Sequence, residues 1–197
     1  MICKICRRAE YSGGVCKIAS ACKKDPHLNL GSGLQPYERC INFDAQILSG
    51  IQGWDKHLQT DVVGMIEDIV EIFPHGYFAQ VQSSHVIEHF LYEESLVFLQ
   101  NQLLLIRPGG KMVVEGPCIL GQYRKYQETG NLVELIEGLY PYRTRMQYGP
   151  LMAHKSGWTG PLVAEKLREL GLQVVHVGVG LAHGMGWMDF RVEAVKA

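Results

Sequence analysis

The chain has 197 residues, 47% of them apolar and 20% charged, with 22 glycines and a formal net charge of -1. That length suits one domain with a single substantial core, and the apolar share excludes a disordered or fibrous chain. The near-neutral balance excludes bulk attraction to nucleic acid or an anionic membrane, which needs a strongly basic face.

Residues 1–25 read as an N-terminal extension carrying Cys3, Cys6, Cys16 and Cys22. Lys4, Arg7, Arg8 and Glu10 interrupt any signal-like apolar stretch, and no strongly apolar run reaches the roughly 18 residues of a membrane span. A cytoplasmic chain with reduced thiols, no membrane and no nucleic-acid partner is the expectation. Cys3-x2-Cys6 has zinc-knuckle spacing and four thiolates would complete a tetrahedron, but Cys16-x5-Cys22 is looser than the usual second pair. Unmetallated thiols are therefore expected, with zinc as the alternative, and no metal ligands are assigned within the domain of residues 26–197.

That domain opens with the apolar run His27-Leu28-Asn29-Leu30, broken at Gly31-Ser32-Gly33. It predicts a buried strand ending in a Gly-rich turn. A second strand at residues 40–43 ends on Asp44, and a short third fits residues 61–63. Residues 77–83 predict a fourth strand, followed by a helix over 93–106. In it Leu96, Leu99, Leu103 and Ile106 repeat at three- and four-residue steps, with Glu93 and Glu94 in the first turn. Pro108-Gly109-Gly110 ends that helix before a strand at 111–115. Further on, Gly160 and Pro161 suit the N-cap and first position of a helix that places Leu162, Val163, Leu167 and Leu170 on the core. Gly171 suits its left-handed end. Strands at 172–177 and 189–195 complete an α/β alternation, which implies a layered domain with a mostly parallel sheet.

Residues 119–158 depart from the alternation. They carry Tyr123, Tyr126, Tyr140, Tyr142 and Tyr148 among Arg124, Lys125, Arg143 and Arg145, with one helical stretch at 132–139. Emerging after a strand, they would form a cap insertion at the carboxyl edge of the sheet, where open α/β folds bind ligands. Its content suits a small acceptor with sugar, aromatic or anionic groups.

Several side chains carry possible chemistry. Gly31 and Gly33 let backbone approach a ligand, or simply make a tight turn. Asp44 is placed to accept hydrogen bonds from ribose hydroxyls, or to terminate a strand. His85 and His89 are the candidate proton acceptors, one facing a ligand and the other packing or capping, with Glu88 anchoring their turn. His154, Lys155 and Trp158, or His183 with Trp187, are loop residues that could close over an acceptor.

The segments Leu28-Asn-Leu-Gly-Ser-Gly33, Ile41-Asn-Phe-Asp44, Ser84-His-Val-Ile-Glu-His-Phe90 and Leu105-Ile-Arg-Pro-Gly-Gly-Lys111, in that order, resemble the small class I S-adenosylmethionine-dependent methyltransferases. The resemblance covers about residues 27–117. It implies a three-layer Rossmann-like fold with a mostly parallel seven-stranded sheet and an antiparallel last strand. By position it implies that Gly31, Ser32 and Gly33 border the amino-acid end of S-adenosylmethionine and that Asp44 holds its ribose. Ser83, Ser84 and His85 would lie near the transferred methyl, and His85 and His89 would be the catalytic candidates. Members often carry an acidic adenine contact after the third strand; here Met65 and Ile66 stand there and are expected to form an apolar wall. The activity implied is methylation of a small molecule. A non-catalytic S-adenosylmethionine-binding protein and a nicotinamide-dependent Rossmann oxidoreductase are the alternatives. The latter is disfavoured because Pro36 replaces the third fingerprint glycine and Asp44 follows much sooner than about 20 residues.

Overall fold

A computed structural model of the protein describes residues 26–33, 37, 38, 40–45, 60–141, 152–180, 182, 184 and 186–197. The four N-terminal cysteines, and with them the zinc alternative, lie outside these residues, as do His183 and residues 142–151 of the expected cap.

Seven strands among the described residues form one sheet: β1 (His27–Leu30), β2 (Cys40–Asp44), β3 (Val62–Val63), β4 (Phe78–Ser84), β5 (Ile106–Pro117), β6 (Leu172–Val179) and β7 (Asp189–Lys196). Their spatial order is β3-β2-β1-β4-β5-β7-β6. β1 through β5 pair in parallel, and β7 runs antiparallel to both β5 and β6. The mostly parallel seven-stranded sheet with a reversed last strand is therefore present.

The central strands are apolar because they are covered on both faces. Leu28, Leu30, Ile41, Phe43, Phe78 and Val81 are buried together with Met112, Val114, Val192 and Ala194. Asn29 and Asn42 interrupt those runs, yet they stand opposite each other in register and are bonded, Asn29 Nδ2 donating to Asn42 Oδ1 at 3.0 Å. Asn42 is held further by Asp61, whose Oδ2 accepts from the Asn42 backbone N at 2.8 Å. A buried polar pair in a parallel sheet is tolerated here because its bonds are made.

Five α-helices follow among the described residues: α1 (Ile69–Ile72), α2 (Tyr92–Leu105), α3 (Ile119–Thr129), α4 (Leu132–Leu139) and α5 (Gly160–Glu169). Short 3-10 turns occupy Ile66–Asp68 and Ile87–His89. α2 packs on β4 and β5, and α5 on β6 and β7.

Three boundaries differ from the sequence reading for local reasons. β5 starts at Ile106 instead of 111. Phe78 pairs with Ile106 and Gln80 with Lys111, so residues 107–110 bulge out of the ladder, with Gly109 at φ +73°. The N-cap of α5 is Thr159, whose side chain accepts from the Leu162 N–H at 3.2 Å, a bond that Gly160 has no side chain to make. Within residues 119–158, α3 forms in addition to the expected helix at 132–139; its N-terminus is preceded by a bridge between Cys118 and Trp158.

Candidate functional site

At the carboxyl ends of β1 and β2 the chain turns sharply. Gly31 has φ +66° and Gly33 φ +45°, conformations that cost L side chains roughly 1–2 kcal/mol. A Cβ on Gly31 would lie 2.3 Å from Val86 Cγ2, so glycine is what lets this turn pack under the loop after β4. A Cβ on Gly33 would have only the Gly31 carbonyl oxygen near it, at 3.9 Å. The Gly33 N–H donates to Asp44 Oδ2 at 2.8 Å and the Ser32 N–H to the Phe43 carbonyl at 3.1 Å, so the end of β2 braces the turn. Ser32 is buried, and its hydroxyl has no hydrogen-bond partner among the described residues. Val63 pairs with Asp44 in register, and the Gly64 N–H donates to the Asp44 carbonyl at 3.1 Å. This places Met65, 41% exposed, beside the same edge, while Ile66 packs partly into the core.

The other half of the edge begins where β4 ends. Ser83 is buried and its hydroxyl reaches Gln102 Oε1 of α2 at 3.4 Å, whereas Ser84, one position on, points to the opposite face. His85 adopts φ +56°, the one positive φ found at a non-glycine residue among the described residues. Its backbone N–H still pairs with the Glu115 carbonyl of β5 at 3.0 Å. Its ring lies between two buried carboxylates, Nδ1 3.1 Å from Glu88 Oε1 and Nε2 3.4 Å from Asp189 Oδ1. Burial opposes the charge on this ring, but hydrogen bonding to Asp189 and Glu88 and their negative charge outweigh it and raise its pKa to about 10. The Glu88 carboxyl is affected in the opposite sense: burial pushes it up, and His85, with His89 and His154 behind it, pulls it well below the usual carboxylate range. An imidazolium held this way donates from Nδ1 to Glu88, faces Asp189 with Nε2 as an ion pair, and has no lone pair with which to accept a proton.

Glu88 is also where a distant loop returns. Its backbone carbonyl accepts from the N–H groups of Lys155 at 2.8 Å and Ser156 at 3.3 Å. The Ser156 hydroxyl accepts from Trp158 Nε1 at 2.8 Å, and the Trp158 ring stacks on Tyr92 at 5.2 Å. This pinning brings His154 Nε2 to 4.0 Å from Glu88 Oε1 and its ring to 5.2 Å from that of His89. One potential ligand atom from each of Glu88, His89 and His154 lies within 4.8 Å of the others.

No protein-family model matches the chain, and no curated protein matches it in sequence. Solved structures do. An S-adenosylmethionine-dependent methyltransferase from Archaeoglobus fulgidus superposes with a TM-score of 0.59 at 15% identity over 87% of this chain and 86% of its own. An S-adenosylmethionine-dependent methyltransferase from Mesorhizobium loti gives 0.55 at 12% identity, covering 87% and 90%. An O-methyltransferase family protein from Burkholderia thailandensis gives 0.54 at 11% identity, covering 92% and 54%. The chain has the class I methyltransferase fold.

Within this methyltransferase fold the structure joins some of the expected site residues and separates others. Gly31, Ser32, Gly33 and Asp44 form one braced unit, with Met65 at its rim. Ser83 faces α2, so its side chain is engaged away from the Gly31 turn. His85 and His89 share Glu88 as a neighbour but are oriented differently: His89 Nδ1 lies 3.1 Å from the Ala153 carbonyl. Of the loop residues, Trp158 is 1% exposed and belongs to the core, whereas His154 joins the Glu88 cluster. Asp189 and the Glu88–His154 approach escape the sequence reading, because 66 residues separate Glu88 from His154 and 101 separate it from Asp189. The Ser84-to-Phe90 segment with two histidines and a glutamate was the available signal; its partners lie outside any local pattern.

The Gly31 turn fits the amino-acid end of S-adenosylmethionine. The open approach at Gly33, the unbonded hydroxyl of Ser32 and the carboxylate of Asp44 are the donor and acceptor types that such a ligand requires. A nicotinamide dinucleotide enzyme would carry its sixth strand beside the fifth in the order 3-2-1-4-5-6; here β7 intervenes between β5 and β6.

Proposed function

We propose that the protein is an S-adenosylmethionine-dependent methyltransferase acting on a small molecule. The observation that carries this reading is the Gly31–Gly33 turn braced by Asp44 at the carboxyl edge of a sheet in methyltransferase order. When bound, S-adenosylmethionine supplies a methyl group on a sulfonium, so the protein's task is alignment and exclusion of water.

Gly33 and Ser32 hold the amino-acid end of the cofactor and Asp44 accepts from its ribose, while Met65 and Ile66 wall the adenine. Ser84 and His85 border the methyl, and Ser83 contributes through its backbone. His85, charged and clamped by Glu88 and Asp189, serves as a fixed cation and positioning group; proton acceptance falls to His89 or to the acceptor's own surroundings. Residues 119–141 and 152–158 border the acceptor. Helix α3 reaches the late loop, with Lys125 Nζ 5.8 Å from the centroid of the Trp187 ring. No described helix is long and apolar enough to cross a membrane, which agrees with a reaction in the aqueous phase. Domain boundaries at residues 1–25 and 26–197 and a cytoplasmic location belong to the same reading.

Calorimetric titration with S-adenosylmethionine and S-adenosylhomocysteine tests it directly. Saturable binding of both is the expected result, and no heat with either at millimolar concentration refutes it. Transfer of a labelled methyl group to sugar, phenolic or carboxylate acceptors then separates an enzyme from a protein that only binds the cofactor.

A further inference from the structure

Glu88, His89 and His154 meet beside the expected methyl position, yet the methyl-transfer reading needs only part of what they offer. The imidazole Nδ1 of His89 lies 3.1 Å from the Ala153 carbonyl, and that of His154 lies 3.1 Å from the Leu139 carbonyl. A carbonyl only accepts, so both rings carry hydrogen on Nδ1, and in the neutral form both keep the lone pair on Nε2. The His154 Nε2 lies 4.0 Å from Glu88 Oε1, beyond hydrogen-bond distance. Glu88 is 2% exposed, and its Oε2 has no hydrogen-bond partner among the described residues. Two imidazoles oriented by backbone carbonyls and a buried carboxylate with one unpartnered oxygen each offer a ligand atom within 4.8 Å of the others, an arrangement suited to a cation.

The chemistry of the set is specific. Two imidazoles and one carboxylate select borderline divalent transition metals such as zinc, iron, cobalt or manganese, and three protein ligands leave at least one coordination position open. The outer partners are in place as well: backbone carbonyls orient both rings and His85 orients the carboxylate at 3.1 Å. Bonds of about 2.0–2.1 Å put tetrahedral ligand atoms roughly 3.3 Å apart, so closure from separations of at most 4.8 Å needs a movement of no more than about 1.5 Å.

We propose that Glu88, His89 and His154 form a divalent transition-metal site whose open position takes a hydroxyl oxygen of the methyl acceptor. The metal site stands on its own geometry; the assignment of the acceptor to it rests on the methyltransferase reading. A hydroxyl bound to such a cation loses its proton to solvent at lower pH than in water. Its oxygen then forms the O–CH3 bond as the S–CH3 bond breaks, with the bonding pair left on sulfur. This removes the need for a side-chain base.

The test uses the full chain, free of any histidine tag and stripped with a chelator, titrated with Co2+ and followed by visible absorption. A parallel full-length chain with Ser at positions 3, 6, 16 and 22 keeps the N-terminal thiolates from contributing. Both chains should bind about one equivalent through nitrogen and oxygen, seen as d–d bands that persist without a sulfur charge-transfer band in the four-serine chain, whose remaining Cys40 and Cys118 are not among the three ligand residues. In the four-serine background His154→Ala and His89→Ala should each weaken binding by at least about tenfold, while thermal melting in the absence of metal checks that they fold. No uptake by the four-serine chain, or uptake unchanged in both folded alanine variants, overturns the site. S-adenosylhomocysteine calorimetry on the stripped protein separates the two readings. S-adenosylhomocysteine binding without Co2+ uptake overturns the metal site alone. Co2+ uptake without that binding supports the metal site and overturns its link to methyl transfer.

Discussion

The carboxyl edge of the sheet has two halves that are built in different ways. Over β1 to β3 the site is made of backbone: two left-handed glycines, and one carboxylate that holds a Gly33 N–H at 2.8 Å. Over β4 to β7 it is made of side chains brought from three distant segments, with His85 clamped by Glu88 and Asp189 and with His154 returned to Glu88 by a pinned loop. The first half depends on conformation, which a single Cβ perturbs. The second depends on buried charge, which is stable only while every partner is present. In the proposed function the first half takes the sulfonium amino acid and the second the reacting end of the acceptor.

The largest effect should come from breaking the charged half. Glu88→Ala leaves the His85 charge facing Asp189 alone in a buried setting, and loss of one member of a buried pair costs about 3–5 kcal/mol; urea denaturation should show a loss in that range. A loss below about 1 kcal/mol would mean that the histidine is not held charged. Next, Gly31→Ala forces a Cβ to within 2.3 Å of Val86 Cγ2 at φ +66°, combining an overpacking cost of ~1–3 kcal/mol with a left-handed cost of ~1–2 kcal/mol. Equilibrium unfolding should fall by about 2–5 kcal/mol.

Asp44→Ala should weaken S-adenosylhomocysteine binding by about 1.5–3 kcal/mol in calorimetry, the range for hydrogen bonds to a charged group. Asp44→Asn keeps an acceptor for the Gly33 N–H and should lose less, which distinguishes bracing of the turn from contact with the ribose. Equal losses in the two variants would assign the whole effect to the charge. The smallest effect on stability should be that of Gly33→Ala, about 1–2 kcal/mol from φ +45° alone, because open space surrounds the added methyl. Its effect on ligand binding should exceed its effect on stability, since the proposed function brings the cofactor to that open space; an unchanged affinity would place the ligand elsewhere.

The same division governs what could be read in advance. The runs at Leu28–Leu30 and Ile41–Phe43, the glycines after them and Asp44 at the strand end are local signals, and each lies where its local pattern puts it. The Pro-Gly-Gly segment reads as a turn that delays β5 to residue 111, whereas residues 107–110 bulge from a strand already begun at Ile106. Gly160 reads as a cap by composition, but the hydroxyl of Thr159 makes the bond. In the histidine half, His85 reads as a base near its ordinary range, and only the two carboxylates around it change that. Trp158 reads as a lid residue, yet stacking on Tyr92 and 1% exposure place it in the core.

By itself, the sequence determined the α/β alternation, the parallel core strands and the glycine turn beside Asp44. These follow from hydrophobic periodicity and from backbone conformations that only particular residues adopt. The tertiary structure alone decided the charge state of His85, the burial of Glu88 and the meeting of Glu88 with His89 and His154. Burial and electrostatic coupling depend on which distant segments share a volume, and loop closure across 66 residues leaves no local trace in the chain.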